Sequence, residues 1–282
     1  MAATSPAELP LTEIALPYRR KLVRRPVVPM FAEPDPLSEQ VSQALLAMPA
    51  LELEARDDWR RIQTWEGYQG WVEAEGLCDF PEGWSEPWCE VTDLYVNLRA
   101  QPSSTLTAVT HAMVGTRLPR LERRDRWAEV LLPDGRRVWT EAHRVTDLPA
   151  AEGELRPPTP RAITATARRF LNVPYLWGGC SVLGLDCSGF VQLVMRLHGI
   201  PLLRDAYQQA EQGTAAPDPD IADLVFFGPE DQPEKITHVG MMLDRKRFIH
   251  AAGSDRVRIN RLTDRPYDAR YRFARRLIGD RS

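Results

Sequence analysis

The chain of 282 residues is 43% apolar and 27% charged, with a formal net charge of −3. That is enough apolar material for two or three compact domains, and the near-neutral balance argues against nucleic acid or an anionic membrane as the main partner. No stretch is long and apolar enough to span a bilayer, and Cys78, Cys89, Cys180 and Cys187 lack the paired spacing of a zinc site.

Residues 1–23 contain Pro6, Pro10 and Pro17, and the basic cluster Arg19-Arg20-Lys21 follows the weakly apolar residues instead of preceding them. That order is wrong for a secretory signal, so an N-terminal arm of a cytoplasmic protein is expected.

From there to Val145 the chain repeats itself. Setting Trp59 against Trp127 brings Ile62 onto Val130, Gly67 onto Gly135 and Trp71 onto Trp139 without a gap, and the same offset places Val28 on Val96 and Pro34 on Pro102. Short β-branched and aromatic runs separated by turn formers such as Asp134-Gly135 predict two small barrels, residues 24–78 and 79–148. Val41, Ala44, Leu45 and Met48 recur at helical spacing, which predicts a short helix inserted over 37–48 of the first copy. The Gly-x-x-x-Trp step of each copy resembles that of bacterial SH3-like domains. Glu33 answers to Gln101 and Tyr68 to Arg136, so the barrel itself demands neither side chain.

Residues 149–160 carry Pro149, Pro157 and Pro158 among small and acidic residues, the composition of a linker. A third domain, 161–282, opens on a helix predicted from Ile163, Ala167 and Phe170. Behind Pro174-Tyr175-Leu176-Trp177-Gly178-Gly179, the run Asp186-Cys187-Ser188-Gly189 leads into Phe190, Leu193, Val194 and Leu197 at helical spacing. Asp186 reads as an N-cap, and Cys187 falls in the first turn, where the helix dipole favours a thiolate. Trp177 is expected mainly in the core and Tyr175 along a cleft.

His238 and His250 sit in short apolar runs joined by Asp244-Arg245-Lys246, which predicts neighbouring strands with both histidines on one face. A cysteine and two histidines in reach supply a nucleophile, a base and an orienter. Ile221 to Gly228 reads as a buried strand entered by a polar corner, and 257–259 and 271–277 as half-buried ones.

Asp-Cys-Ser-Gly-Phe at a helix start, preceded by Pro-Tyr-x-Trp-Gly-Gly and followed by His-Val-Gly and Ile-His-Ala, resembles the NlpC family of papain-like cysteine peptidases. The resemblance covers about 161–276. It implies an α+β papain-like catalytic domain behind two all-β SH3-like barrels, with Cys187 as nucleophile, His238 as base and His250 as its orienter, and no metal or cofactor.

It further implies a γ-D-glutamyl-L-diamino acid endopeptidase acting on a small murein peptide. Glu33, Tyr68 and Asp205 would then bind the free α-amine of L-Ala, Ser188 the D-Glu carboxylate, and Tyr175 and Asp186 would also serve substrate binding. Ala206 stands where the family usually has a hydroxyl residue, which removes one substrate hydrogen bond. A free-amine requirement suggests recycling of released peptides in the cytoplasm. The rival readings are a wall-binding protein with an inactive third domain, an acyltransferase on the same core, and a metal site of Cys180, Cys187, His238 and His250.

Overall fold

The structure, a computed structural model, describes residues 19–149, 158–253 and 255–279. The chain divides into two compact units, Met1–Arg156 and Pro157–Ser282.

The first unit holds both copies of the repeat. Strands β1 (Arg19–Val23), β2 (Val27–Phe31), β3 (Gln40–Leu45), β4 (Pro49–Arg56), β5 (Trp59–Gln63), β6 (Gln69–Glu73) and β7 (Leu77–Cys78) form one sheet in the order β3-β2-β6-β5-β4-β1-β7. Its core is Val23, Val28, Met30, Ala44, Ala50, Ile62, Val72 and Leu77. The second copy repeats the elements as β8 (Trp88–Val91), β9 (Tyr95–Leu98), β10 (Thr110–Met113), β11 (Arg117–Arg124), β12 (Trp127–Leu131), β13 (Arg137–Glu141) and β14 (Val145–Asp147).

The correspondence extends to irregularities. The Phe31–Trp71 pairing that joins β2 to β6 recurs as the Arg99–Trp139 bridge. A break in register between Glu52 and Glu54 recurs between Arg120 and Glu122. Positive φ angles match as Ala47 (65°) with Gly115 (79°), Asp57 (49°) with Asp125 (51°), and Gly67 (82°) with Gly135 (83°). Leu46 and Ala47 of the first copy are buried in the core of the second, so the two barrels share packing.

Two expectations are corrected here. Arg19–Val23 is no arm: it pairs with both β4 and β7, so the first barrel begins at least five residues before 24, and the rest of the expected arm, 1–18, lies outside the described residues. The helix expected over 37–48 is β3, because pairing Val28 with Ala44 and Val27 with Leu45 satisfies the backbone across β2. Ala44 is buried, and Val41 and Met48 pack partly against the same core, so the apolar residues do turn inward. They do so from a strand and the turn after it, since tertiary pairing overrides a short helical spacing. The expected linker falls mostly on residues that are not described.

The second unit opens on α1 (Pro160–Arg168), started by Thr159, whose hydroxyl accepts from the Ala162 amide at 3.2 Å, and by Pro160 at the first position. Phe170 just beyond it meets Phe190 edge-on at 6.1 Å. A small hairpin, β15 (Cys180–Ser181) and β16 (Gly184–Leu185), delivers the chain to α2 (Cys187–Arg196). After α3 (Ala206–Gln209) come β17 (Thr214–Ala215), β18 (Leu224–Phe227), β19 (His238–Met242), β20 (Arg247–Ala251), β21 (Val257–Arg261), α4 (Tyr267–Arg270) and β22 (Tyr271–Arg276). These strands form an antiparallel sheet in the order β17-β22-β18-β19-β20-β21, with α2 packed on β19 and β20. Buried Asp223, held by Arg276 at 2.9 and 2.8 Å, ties the entry of β18 to the end of β22.

Candidate active site

The glycines of the central motif set how closely α2 can approach the turn before it. A Cβ on Gly189 would stand 2.2 Å from the Gly179 carbonyl oxygen, and one on Gly179 would stand 2.4 Å from that of Gly184. A side chain at Gly189 would push the first turn of α2 off the loop, and one at Gly179 would push the loop off β16. The motif is therefore a packing solution that fixes Cys187 at the helix start.

Asp186 caps α2 by accepting from the Gly189 amide at 2.7 Å. The same carboxylate is held by Arg204, with Nη1 at 3.1 Å and Nη2 at 2.6 Å, and Arg204 also donates to Ser188 Oγ at 3.0 Å. Arg204 is 1% exposed. Ser188 donates its one hydroxyl hydrogen to Asp186 at 3.3 Å, which leaves it nothing to offer a carboxylate of D-Glu. Ser188 and Asp186, both expected at the substrate, are held in an internal ion-pair network behind the nucleophile. Arg204 was visible in the sequence only as a neighbour of Asp205, and nothing there marked it as buried.

This network also reverses the expectation of a thiolate at rest. Burial, reinforced by the Asp186 carboxylate, pushes the Cys187 thiol up to about 12, against the pull of the Val239 and Ser188 backbone amides and of Arg204. The helix dipole is met by a carboxylate placed at its own N-terminus. Alkylation of Cys187 by iodoacetamide should thus rise about tenfold per pH unit from about pH 6 to about pH 10, because the thiolate fraction keeps growing. A rate already level between about pH 5 and about pH 8 would instead reveal a preformed thiolate and imidazolium.

The two histidines meet as expected. His238 opens β19, and His250 lies on β20, across from Gly240 by continuation of the Met241–Ile249 pairing. A Cβ at Gly240 would stand 2.6 Å from the Phe248 ring and 3.2 Å from the His250 Cβ. Its absence lets the two imidazoles approach, and His238 Nε2 lies 2.9 Å from His250 Nδ1 with the rings nearly perpendicular. The Cys187 sulfur accepts from the amide of Val239, next to His238. Burial, then His250 and Arg270, hold His238 down to about 3, and burial with Arg258 holds His250 down to about 4. Both rings are neutral at pH 7.

Tyr175 is half-buried, and its phenol is held well above its ordinary value by burial, then by neighbouring Cys187 and Asp186, so it faces the nucleophile as a neutral O–H. Trp177, expected in the core, is 60% exposed, because it rides the outside of the tight turn whose glycines pack inward. Asp205 closes a capping box with Gln208 at the start of α3, and its carboxylate also bonds the Tyr207 hydroxyl. In the first unit, Glu33 is exposed in the turn after β2, where its backbone bonds Ser38 Oγ. Tyr68 is half-buried and packs partly against the barrel core, so the fold uses part of its ring after all. Among the described residues, no group of three or more His, Cys, Asp or Glu is arranged to hold a metal ion.

A cysteine at a helix start, set against strands that carry paired histidines, defines a papain-like cysteine peptidase. Residues 172–276 match the NlpC/P60 family, and this part of the chain is an NlpC/P60 cysteine peptidase domain behind SH3-like barrels. The chain is 29% identical to the γ-D-glutamyl-L-lysine dipeptidyl-peptidase of Bacillus cereus over 84% of its own length and 75% of the relative's. It is 25% identical to dipeptidyl-peptidase 6 of Lysinibacillus sphaericus, over 83% of its own length and 89% of that protein. The fold also matches the crystal structure of an NlpC/P60 family protein from Bacillus cereus, with a TM-score of 0.84 at 24% identity, covering 93% of this chain and all of the other.

Proposed function

We propose that this protein hydrolyses the amide between γ-D-Glu and a diamino acid in murein peptides that carry a free N-terminal L-Ala, turning over released peptides in the cytoplasm. The observation that carries the reading is the buried Cys187 at the start of α2 beside a His238–His250 pair in hydrogen-bond contact. The choice of substrate draws on the Bacillus cereus relative named as a γ-D-glutamyl-L-lysine dipeptidyl-peptidase, which matches along most of the chain.

In the mechanism, Cys187 Sγ attacks the amide carbonyl carbon while its proton passes to His238, so the resting neutral pair becomes an ion pair only as the bond forms. The Cys187 amide, at the first position of α2, is a free donor for the oxyanion. His238 then protonates the departing amine, and water, deprotonated by His238, hydrolyses the thioester to release L-Ala-D-Glu.

A carboxylate has about four lone-pair sites, so capping α3 leaves Asp205 able to accept from an ammonium. Its neighbour Ala206 offers no hydroxyl. For Glu33 and Tyr68, amine binding rests on the family resemblance of the first barrel.

The test is product analysis by mass spectrometry on L-Ala-γ-D-Glu-L-Lys, on the diaminopimelate peptide, and on both N-acetylated, with Cys187→Ala alongside. Release of L-Ala-D-Glu from the free peptides alone, lost in the variant, is the expected result. Equal cleavage of the acetylated peptides would remove the amine-binding roles of Asp205, Glu33 and Tyr68, and no cleavage of any would remove the function.

A further inference from the structure

We infer that Asn260 is a positioning residue that, through His250, sets the tautomer of His238 and so determines which of its nitrogens is basic. This rests on His238 acting as base, as above.

Strand β21 runs antiparallel to β20 with Arg258 opposite His250 and Asn260 opposite Phe248, so Arg258 and Asn260 share the face that carries His250. Asn260 Oδ1 lies 3.1 Å from His250 Nε2 and 2.8 Å from Arg258 Nε, while Asn260 Nδ2 lies 3.0 Å from Asp264 Oδ2. That carboxylate oxygen also accepts from the Arg261 amide at 2.8 Å.

A guanidinium can only donate and an ionised carboxylate can only accept. The amide is therefore locked: turning it over would set its NH2 against Arg258 and its oxygen against Asp264. With an oxygen at 3.1 Å, His250 Nε2 must carry the hydrogen. Neutral His250 then has a lone pair on Nδ1, so His238 Nε2 at 2.9 Å must be the donor, and the lone pair of neutral His238 is left on Nδ1.

Only that arrangement satisfies every contact in the line. A histidine, unlike an aspartate, does not dictate its partner's tautomer by itself, since it can present either N–H or a lone pair at Nδ1. Asn260 removes this choice. The rings have little freedom to escape it: His250 is fully buried, 4.7 Å from the Phe248 ring and 5.0 Å from Tyr267. The other groups facing the pair are Arg258 on β21, and Arg270 and Tyr267 on α4. Neither guanidinium can accept, and the oxygen at hydrogen-bond distance from His250 Nε2 is that of Asn260.

The test uses the full chain, with long-range proton–nitrogen NMR correlation of the imidazole rings, assigned with His250→Gln, together with kcat and KM on the free peptide. The wild type should show Nε2–H on both rings with Nδ1 unprotonated. Asn260→Leu should give mixed tautomers and a kcat lower by about tenfold at unchanged KM, as for loss of one hydrogen bond to a group that becomes charged. The double variant Asn260→Asp with Asp264→Asn, which keeps an acceptor facing His250 Nε2 and a donor against the second oxygen, should recover the wild-type tautomers. A proton on His250 Nδ1 in the wild type would overturn the inference, as would Asn260→Leu with unaltered ring spectra and kcat. The wild-type spectrum needs no substrate and no stable variant, so it decides the matter even if the peptide is not cleaved.

Discussion

Arg204→Met is expected to destabilise the peptidase unit by about 3–5 kcal/mol, the cost of leaving one charge of a buried pair without its partner. Arg204 and the Asp186 side chain are 1% and 9% exposed, and the pair is bidentate, so water cannot take the place of the guanidinium. What would remain around Asp186 is the Gly189 amide and the Ser188 hydroxyl. The double variant Asp186→Asn with Arg204→Met should recover most of the loss, because asparagine still caps α2 and no buried charge is left. Denaturant unfolding should show this as a shift confined to one of two transitions, with that of the barrels in place. A loss below about 1 kcal/mol would mean that the carboxylate finds another partner.

His238→Ala is expected to lower kcat on the free peptide by about 10² to 10⁴, the usual range for removal of a general base that also serves as the acid. The resting Cys187 thiol is pushed up to about 12, so no standing thiolate population can compensate. His250→Ala should fall less steeply, since it leaves the base in place without its hydrogen-bond partner. Stopped assays at saturating peptide would separate the two variants. Equal and small losses in both would argue that attack does not depend on proton transfer to His238.

Much of this architecture was legible in the sequence because it is written in local patterns. The two-copy repeat set out the barrels down to the turns at Gly67 and Gly135, which answer to the same backbone need for a positive φ. The order of Cys187, His238 and His250, with a turn at Asp244 between the histidines, was enough to foresee two imidazoles on one face of neighbouring strands. Capping of α2 by Asp186 followed from residue type and position alone.

What escaped was decided by contacts distant in sequence. Strand β3 replaced the expected helix because β2 offered a ladder to Gln40–Leu45, which helical spacing cannot report. Trp177 lies outside because Gly179, Gly184 and Gly189 fill the space beneath the turn. The protonation of Cys187 turned on burial and on an adjacent carboxylate, where the sequence showed only a helix start. Asn260 carried no signal beyond sharing an alternation with Arg258, and it acquires its position only when β21 pairs with β20 and Asp264 fixes its amide. Residue type and spacing determined which groups this protein has for its chemistry; tertiary burial and cross-strand register decided their protonation and direction, because both depend on what desolvates and what faces each group.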